Sequence, residues 1–429
     1  MNNNLSRRDL LRLVGLGAGA GALGLGGVAA CAPSADGPTT DTAKSATDFS
    51  FASWSLADNA SKAKIEELMR GYGGKAGVTV NGVPLAYNTY LNQLTLQVRG
   101  GQFTGAAQMD IAWLAGLAAL GKLRDLGDVA RDAGYTEAAL SSGQVDGKQV
   151  GLPWTTAAIG LIANRELMQK AGVTTAPATI ADFETALRAL KSTGVIPYAA
   201  STKVAQLKDI LIWMQTFGSP LLDGDKVTVG DDASVEAVAW YKKLYDEKLI
   251  APDVERVDAR TLFAQGKAAI YDDAIVGRDF VVKGSPDTSL ADKLDPIARP
   301  VKNAGDKPRA VQWGHAVVVV EGEGANTASD FAGWLTSDEQ TVLGYFKDLS
   351  LPPTTSKALA SEQVRTDRFT AQFSERITAT ATPNPFWKYP QYAQMETAIS
   401  EQVQAVLVGR AKPADAMRDA GRAVQALIT

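Results

Sequence analysis

Apolar positions along the chain switch between a spacing of two and a spacing of three to four, and the switching predicts an α/β fold. Phe49 to Trp54 is a short apolar strand. Ile65, Leu68, Met69 and Tyr72 then fall on one helical face, closed by Gly73-Gly74. Val78 to Leu85 predicts a second strand, bent at Gly82. Tyr90, Leu91, Leu94 and Val98 give another helical stripe, and Met109 to Trp113 a third strand. A β-α-β-α-β order implies parallel strands with helices packed on them. Ligands of such sheets lie beyond the carboxyl ends of the strands, where Trp54 and Trp113 both stand.

The densest stretch is Asp146 to Gly172. Val150 to Trp154 is apolar and stopped by Pro153, and Ala157 to Ala163 is a charge-free run expected of a strand buried on both faces. Arg165 to Ala171 reads as a short helix closed by Gly172, which can adopt the left-handed cap. So many changes of element in so few residues suit a crossing between two packed lobes. A second crossing is expected near Ala298 to Asn303, in a stretch rich in Pro, Gly, Asp and Lys, and a third at Leu351-Pro352-Pro353. Between and after them lie further elements. Thr179 with Asp182 predicts a capped helix start. Leu207 to Phe217 and Asp231 to Leu249 are helical, and Ala316 to Val320 is a buried strand. Met395, Ile399, Val403 and Val406 form a long final stripe capped by Gly409, with Pro413 opening a last helix.

Several of these segments carry a resemblance. Gly151-Leu152-Pro153, Asn164, Leu167, Ala171-Gly172, Pro177 and Thr179 match a G-x-x-Y-G-L-P strand, a Y-N-x-x-L-F-x-x-A-G helix and a P-x-T-W-x-E helix start. Asp110-Ile111 with Trp113 matches a P-D-[VI] element followed by an aromatic residue. Phe263 to Ile270 is similar to F-x-x-G-K-x-A-M, and Phe331 to Leu335 to A-x-x-F-x-x-W-L. Together they resemble the extracellular solute-binding proteins of bacterial sugar ABC importers, the family of maltose-binding protein. Val150, Met109, Ala163 and Ile180 depart from the family's Tyr, Pro, Tyr and Trp, and Tyr271-Asp272-Asp273 stands where Gly-x-Trp is frequent. The resemblance implies a type II periplasmic-binding-protein-like fold, two α/β lobes joined by three crossings. The lobes expected are 49–153 plus 303–348 and 154–302 plus 349–429.

Residues 1–30 read as an address rather than fold. Ser6-Arg7-Arg8-Asp9-Leu10-Leu11 is a twin-arginine pattern leading into an apolar segment. The seven glycines between Gly15 and Gly27 lower its helix stability by roughly 1 kcal/mol each, which disfavours a permanent span. Val28-Ala29-Ala30-Cys31 resembles a lipobox, so Cys31 is the expected lipidation site and 31–48 a flexible tether. Acyl chains contribute about 0.8 kcal/mol per buried CH₂, enough in number to hold a water-soluble body at the outer face of the cell membrane.

Composition narrows the chemistry. At 429 residues, with 45% apolar and 21% charged, the chain suits two cores in a water-soluble protein. A net charge of −4 argues against nucleic acid as the main partner. One Cys and one His exclude an internal disulfide and a His/Cys zinc site. No G-x-S-x-G or phosphate-loop pattern occurs, so neither metal, cofactor nor enzymatic activity is expected.

Eight tryptophans are the positive signal, because sugar C–H faces lie flat on indoles. Trp240 and Trp334 fall on helical stripes and read as core. Trp113 and Trp154 lie past strand ends at the expected cleft, Trp387 in a Pro-rich loop where the family places an aromatic, Trp54 and Trp313 at strand edges, and Trp213 inside a helix. Asp272 and Asp273 could grip hydroxyls or sit in a solvated turn, His315 could donate to a hydroxyl or simply pack, and Asp110 reads as an acceptor for backbone N–H groups. The expected function is capture of a neutral sugar or oligosaccharide by hinge closure, as a monomer that delivers it to importer permease subunits. Two other readings stay open: an exported carbohydrate-active hydrolase, and a binding protein for a peptide or polyamine.

Overall fold

The computed structural model describes residues 47–428. The twin-arginine pattern, Cys31 and all but the end of the expected tether lie outside the described residues.

Nine strands form the main sheet: β1 Phe49–Ser53, β2 Val80–Pro84, β3 Gly105–Asp110, β4 Gly151–Asn164, β5 Ile196–Ala199, β6 Ala268–Ala274, β7 Leu294–Ile297, β8 Ala310–Val320 and β9 Ala381–Thr382. Seven follow the order β2-β1-β3-β8-β4-β6-β5, while β7 pairs with β4 and β9 with β8. The expected parallel unit is present, since β1 pairs in parallel with β2 and with β3. Here β8 is antiparallel to β3 and β4, and β6 is antiparallel to β4 but parallel to β5.

Side-chain alternation sends successive residues to opposite faces. Phe51, Ala106, Val317 and Val319 therefore join one core with Phe331, Leu335 and Tyr345, while Ala52, Ala107, Ala316 and Val318 join another with Tyr90, Leu94 and Val98. The far half of the sheet repeats the arrangement. Leu161, Ala163 and Ile270 face a core holding Trp213, Trp240 and Met395; Ala158, Ile162 and Tyr271 face one holding Phe263 and Phe373. The result is two α/β lobes, each with apolar cores on both faces of its share of the sheet, linked through the long strands β4 and β8. This is the type II periplasmic-binding-protein plan.

The two runs read as separate strands around Pro153 are in fact one strand, β4. Proline lacks the N–H a ladder needs, so in a central strand it belongs at an irregularity. Opposite β8 the register jumps, with His315 paired to Thr155 but Ala316 to Pro153, which leaves Trp154 as the extra residue of a bulge. Two hydroxyls tie the Leu351–Thr354 segment to this point: Thr155 Oγ1 donates to the Pro352 carbonyl at 2.8 Å and Thr354 Oγ1 to the Pro153 carbonyl at 2.7 Å.

Most helix boundaries follow their sequence signals. Thr179 and Asp182 form a reciprocal capping box at the start of Ile180–Ser192. Helices Lys62–Ala76, Tyr87–Arg99, Asp232–Asp246, Tyr392–Leu407 and Pro413–Gln425 occupy the expected stripes, but the first does not stop at Gly73-Gly74: it runs through them to a left-handed cap at Gly77. Gly105 takes φ 109°, and a Cβ there would stand 2.4 Å from the Ser50 carbonyl oxygen, so the β1–β3 contact requires a glycine.

Candidate functional site

Two strand ends share one device. At the end of β1, Ser53 caps a 3₁₀ turn, Trp54–Leu56, by accepting from the Ser55 N–H at 3.0 Å. At the end of β3, Asp110 caps the turn Ile111–Trp113 by accepting from the Ala112 N–H at 3.0 Å. Each cap turns the chain sharply away from its strand. Trp54 and Trp113 are thereby delivered side by side, ring centroids 5.5 Å apart and edge-on. The strand Met109–Trp113 expected from sequence thus ends earlier, at Asp110, whose role as a backbone acceptor is as read.

An aromatic band extends from this pair. Trp54 meets Tyr90 at 5.0 Å and Tyr87 at 5.5 Å, and Trp113 stacks on Tyr90 at 5.8 Å and lies against Tyr87 at 5.1 Å. In the other direction His315 contacts Trp54 at 4.9 Å and Trp313 at 4.6 Å. A polar chain behind the band fixes the imidazole. Ser53 Oγ donates to Gln108 Oε1 at 2.5 Å, so the Gln108 amide nitrogen donates to His315 Nδ1 at 3.3 Å and the ring proton belongs on Nε2. Burial holds the imidazole neutral, its pKa pushed down to about 3.

Side chains from later in the chain come close to this band. Trp387, in the 3₁₀ turn Pro385–Lys388, packs against the same two cores as Trp113. Lys208 and Asp209 come from the turn Leu207–Asp209, Arg256 from the first position of helix Arg256–Ala264, and Tyr392 and Glu396 from helix Tyr392–Leu407. Their charges reach the first lobe. Burial raises the Tyr87 hydroxyl pKa well above its ordinary value, with Asp110 adding to the shift and Arg256 opposing it. Tyr87 is nevertheless 44% exposed. Its hydroxyl donates to Asp110 Oδ2 at 3.2 Å. Lys208, its side chain 40% exposed, has a pKa raised by the neighbouring Glu396 carboxylate and further by Asp110 and Asp209. Burial raises Asp110, Asp209 and Glu396 in turn, against Ala112 N–H and Lys208 for Asp110, Arg256 for Asp209 and Lys208 for Glu396.

The remaining expected residues lie elsewhere. Trp154 is 1% exposed and stacks on Tyr345 at 4.5 Å in the core around Phe331, so the bulge turns it inward, away from Trp113. Trp213, also 1% exposed, stacks on Phe183 at 5.9 Å with the Arg299 guanidinium 4.4 Å over its ring. Asp272 and Asp273 do not sit in a solvated turn: both are buried inside β6. Arg299 Nη2 meets Asp272 at 2.6 Å, with Tyr198 also donating to that carboxylate. Arg260 takes Asp273. Trp240 and Trp334 pack in cores as read.

Sequence reasoning passed over Tyr87, Lys208, Asp209, Arg256, Tyr392 and Glu396. Only the last two left a trace. Tyr392, Glu396 and Ser400 form a polar line at spacing four on the buried side of an otherwise apolar stripe. Among the described residues, no group of three or more His, Cys, Asp or Glu is placed to hold a metal ion, and no helix is long and apolar enough to cross a membrane.

Residues 67–371 match the model of the bacterial extracellular solute-binding proteins. The chain belongs to that family. Proteins of Brucella abortus and Brucella suis named as binding proteins are 26% identical over 204 residues, 45% of this chain and 50% of theirs. The chain spans about half the length of the curated relatives it matches. Similar solved structures agree over much more of the fold. The GacH receptor of Streptomyces glaucescens, solved unliganded and with acarbose, aligns at a TM-score of 0.80 with 24% identity over 89% of this chain and 98% of that one. A Thermotoga lettingae ABC transporter solute-binding protein bound with α-D-tagatose aligns at 0.78 with 20% identity, over 90% of this chain and 99% of its own. Maltose-bound MalE3 of T. maritima aligns at 0.77 with 19% identity, over 89% and 100%.

Proposed function

We propose that this solute-binding protein captures a neutral sugar or oligosaccharide in the recess between its lobes and delivers it to an ABC importer. The reading rests above all on the pairing of partly open aromatic faces, Tyr87, Trp113 and Trp387, with carboxylates and cations that can bond hydroxyls. Asp110, Asp209 and Glu396 stand against Lys208 and Arg256, so neither sign dominates as a peptide or polyamine site would need. The sugars in the related solved structures support the same class of ligand.

In this account the lobes are 49–153 with 303–348 and 154–302 with 349–429, and they rock about their crossings. A sugar touching Trp113 on one wall and Trp387 on the other favours the closed state, because only closure offers both contacts. Lipidated Cys31 would hold the monomeric body at the outer face of the membrane, beside the permease subunits that recognise the closed form.

Thermal-shift screening tests the ligand class. A ligand at about 100 times its Kd stabilises by roughly 2.7 kcal/mol. Neutral mono- or oligosaccharides should raise the melting midpoint while peptides and polyamines leave it in place. A shift by peptides alone would overturn the reading, and release of shorter sugars from an added oligosaccharide would mark a hydrolase instead.

A further inference from the structure

Glu396 is an acid on the buried side of a helix, 7% exposed, flanked by Met395 and close to Ile399. A desolvated carboxylate persists only where partners offset the loss of water. Its partners converge from two other segments. Oε1 accepts from Asn384 Nδ2 at 2.8 Å and from Trp387 Nε1 at 3.3 Å, and Oε2 faces Lys208 Nζ at 3.7 Å. Asn384 in turn uses its Oδ1 to accept from the Phe386 N–H at 3.0 Å, which caps the turn carrying Trp387. One carboxylate therefore holds the turn, the indole edge and the ammonium together. The other charged or titratable groups facing it are Asp209 beside Lys208, Asp110 from the end of β3 and Tyr87, with Tyr392 one turn earlier on its own helix.

An indole has two side-chain torsions, and a bond at Nε1 restricts both. Trp387 is only half-buried, so the Nε1 bond adds a constraint to its packing against the two cores. Lys208 is similar: a long, partly exposed chain whose ammonium is paired by charge with Glu396 at 3.7 Å.

We propose that Glu396 is a positioning residue of the recess, holding the Trp387 ring plane and the Lys208 ammonium in their ligand-receiving places before the ligand arrives. The proposal rests on the sugar-binding reading for its benefit, since preorganised groups lose less entropy on binding. The positioning itself can be read without any ligand.

The experiment uses the full chain as wild type, Glu396→Gln, Glu396→Asp and Trp387→Phe. The Trp387 indole N–H resonance is assigned from its loss in Trp387→Phe and followed in ¹⁵N-labelled, ligand-free protein. Affinity is then measured by calorimetry for whichever of maltose, acarbose and tagatose most raises the melting midpoint. Glu396→Gln keeps side-chain volume and an acceptor for Asn384 but loses the charge, and Glu396→Asp withdraws the carboxylate by one methylene. Both should move the Trp387 indole resonance and weaken sugar binding about tenfold. The loss from Glu396→Gln should shrink to about twofold in the Trp387→Phe background, where there is no indole to place. An unmoved resonance, or the same tenfold loss with and without the indole, overturns the proposal while leaving the sugar reading intact. A moved resonance in a protein whose melting midpoint no neutral mono- or oligosaccharide raises upholds the positioning and removes the sugar reading.

Discussion

Arg260 grips the carboxylate of Asp273 with two hydrogen bonds, Nε to Oδ2 at 2.7 Å and Nη2 to Oδ1 at 2.9 Å. Asp273 has a 1% exposed side chain, and Gly277 leaves it room, since a Cβ at that glycine would stand 2.2 Å from Oδ2. Removing one member of a buried pair strands the other. Asp273→Ala should therefore cost about 3 kcal/mol in urea denaturation. An Asp273 that instead bonded ligand would give a stable variant that had lost affinity.

Trp154 supplies the contrasting case among the aromatic residues. Sequence position put it with Trp113, but the bulge opposite Ala316 places it against Tyr345. Truncating a fully packed Trp costs about 3–5 kcal/mol. Trp154→Ala should lose that much stability, and Trp154→Phe, which refills most of the space, should bind sugar within threefold of wild type by calorimetry.

These two residues mark where the sequence stops being legible. Strand and helix periods, the Thr179 capping box and the parallel opening unit are local patterns, and they appear where expected. Asp272 and Asp273 close an apolar run, which locally reads as the end of a strand. Their partners Arg299 and Arg260 are supplied from other elements, so only the folded arrangement shows that the strand continues through them. A bulge is equally invisible, because it is a property of the partner strand's register. Of the residues gathered near the Trp54–Trp113 pair, Trp54, Trp113 and Trp387 were legible as aromatics at strand ends or in a Pro-locked loop. Lys208 and Arg256 were not, since an isolated cation at a helix start has the same local pattern whether it faces solvent or a recess.

His315 gives a pH signature. Its folded pKa, about 3, lies below the unfolded value of about 6.5, so between those limits the unfolded chain binds the extra proton. Stability contributed at this position is present above pH 6.5 and falls as pH is lowered. The loss should be about 2 kcal/mol between pH 6.5 and pH 5. Urea denaturation at both values should show wild type losing about that much more than His315→Gln. Equal losses would mean that the imidazole takes up its proton as readily in the folded protein as in the unfolded chain.

The central claim is that Trp113 and Trp387, from different lobes, hold one uncharged sugar between them. Calorimetric titration of Trp113→Ala and Trp387→Ala with the best-stabilising neutral sugar tests it most directly. Each variant should weaken binding more than tenfold while its melting midpoint without ligand stays within a few degrees of wild type. Wild-type affinity in both variants would contradict it.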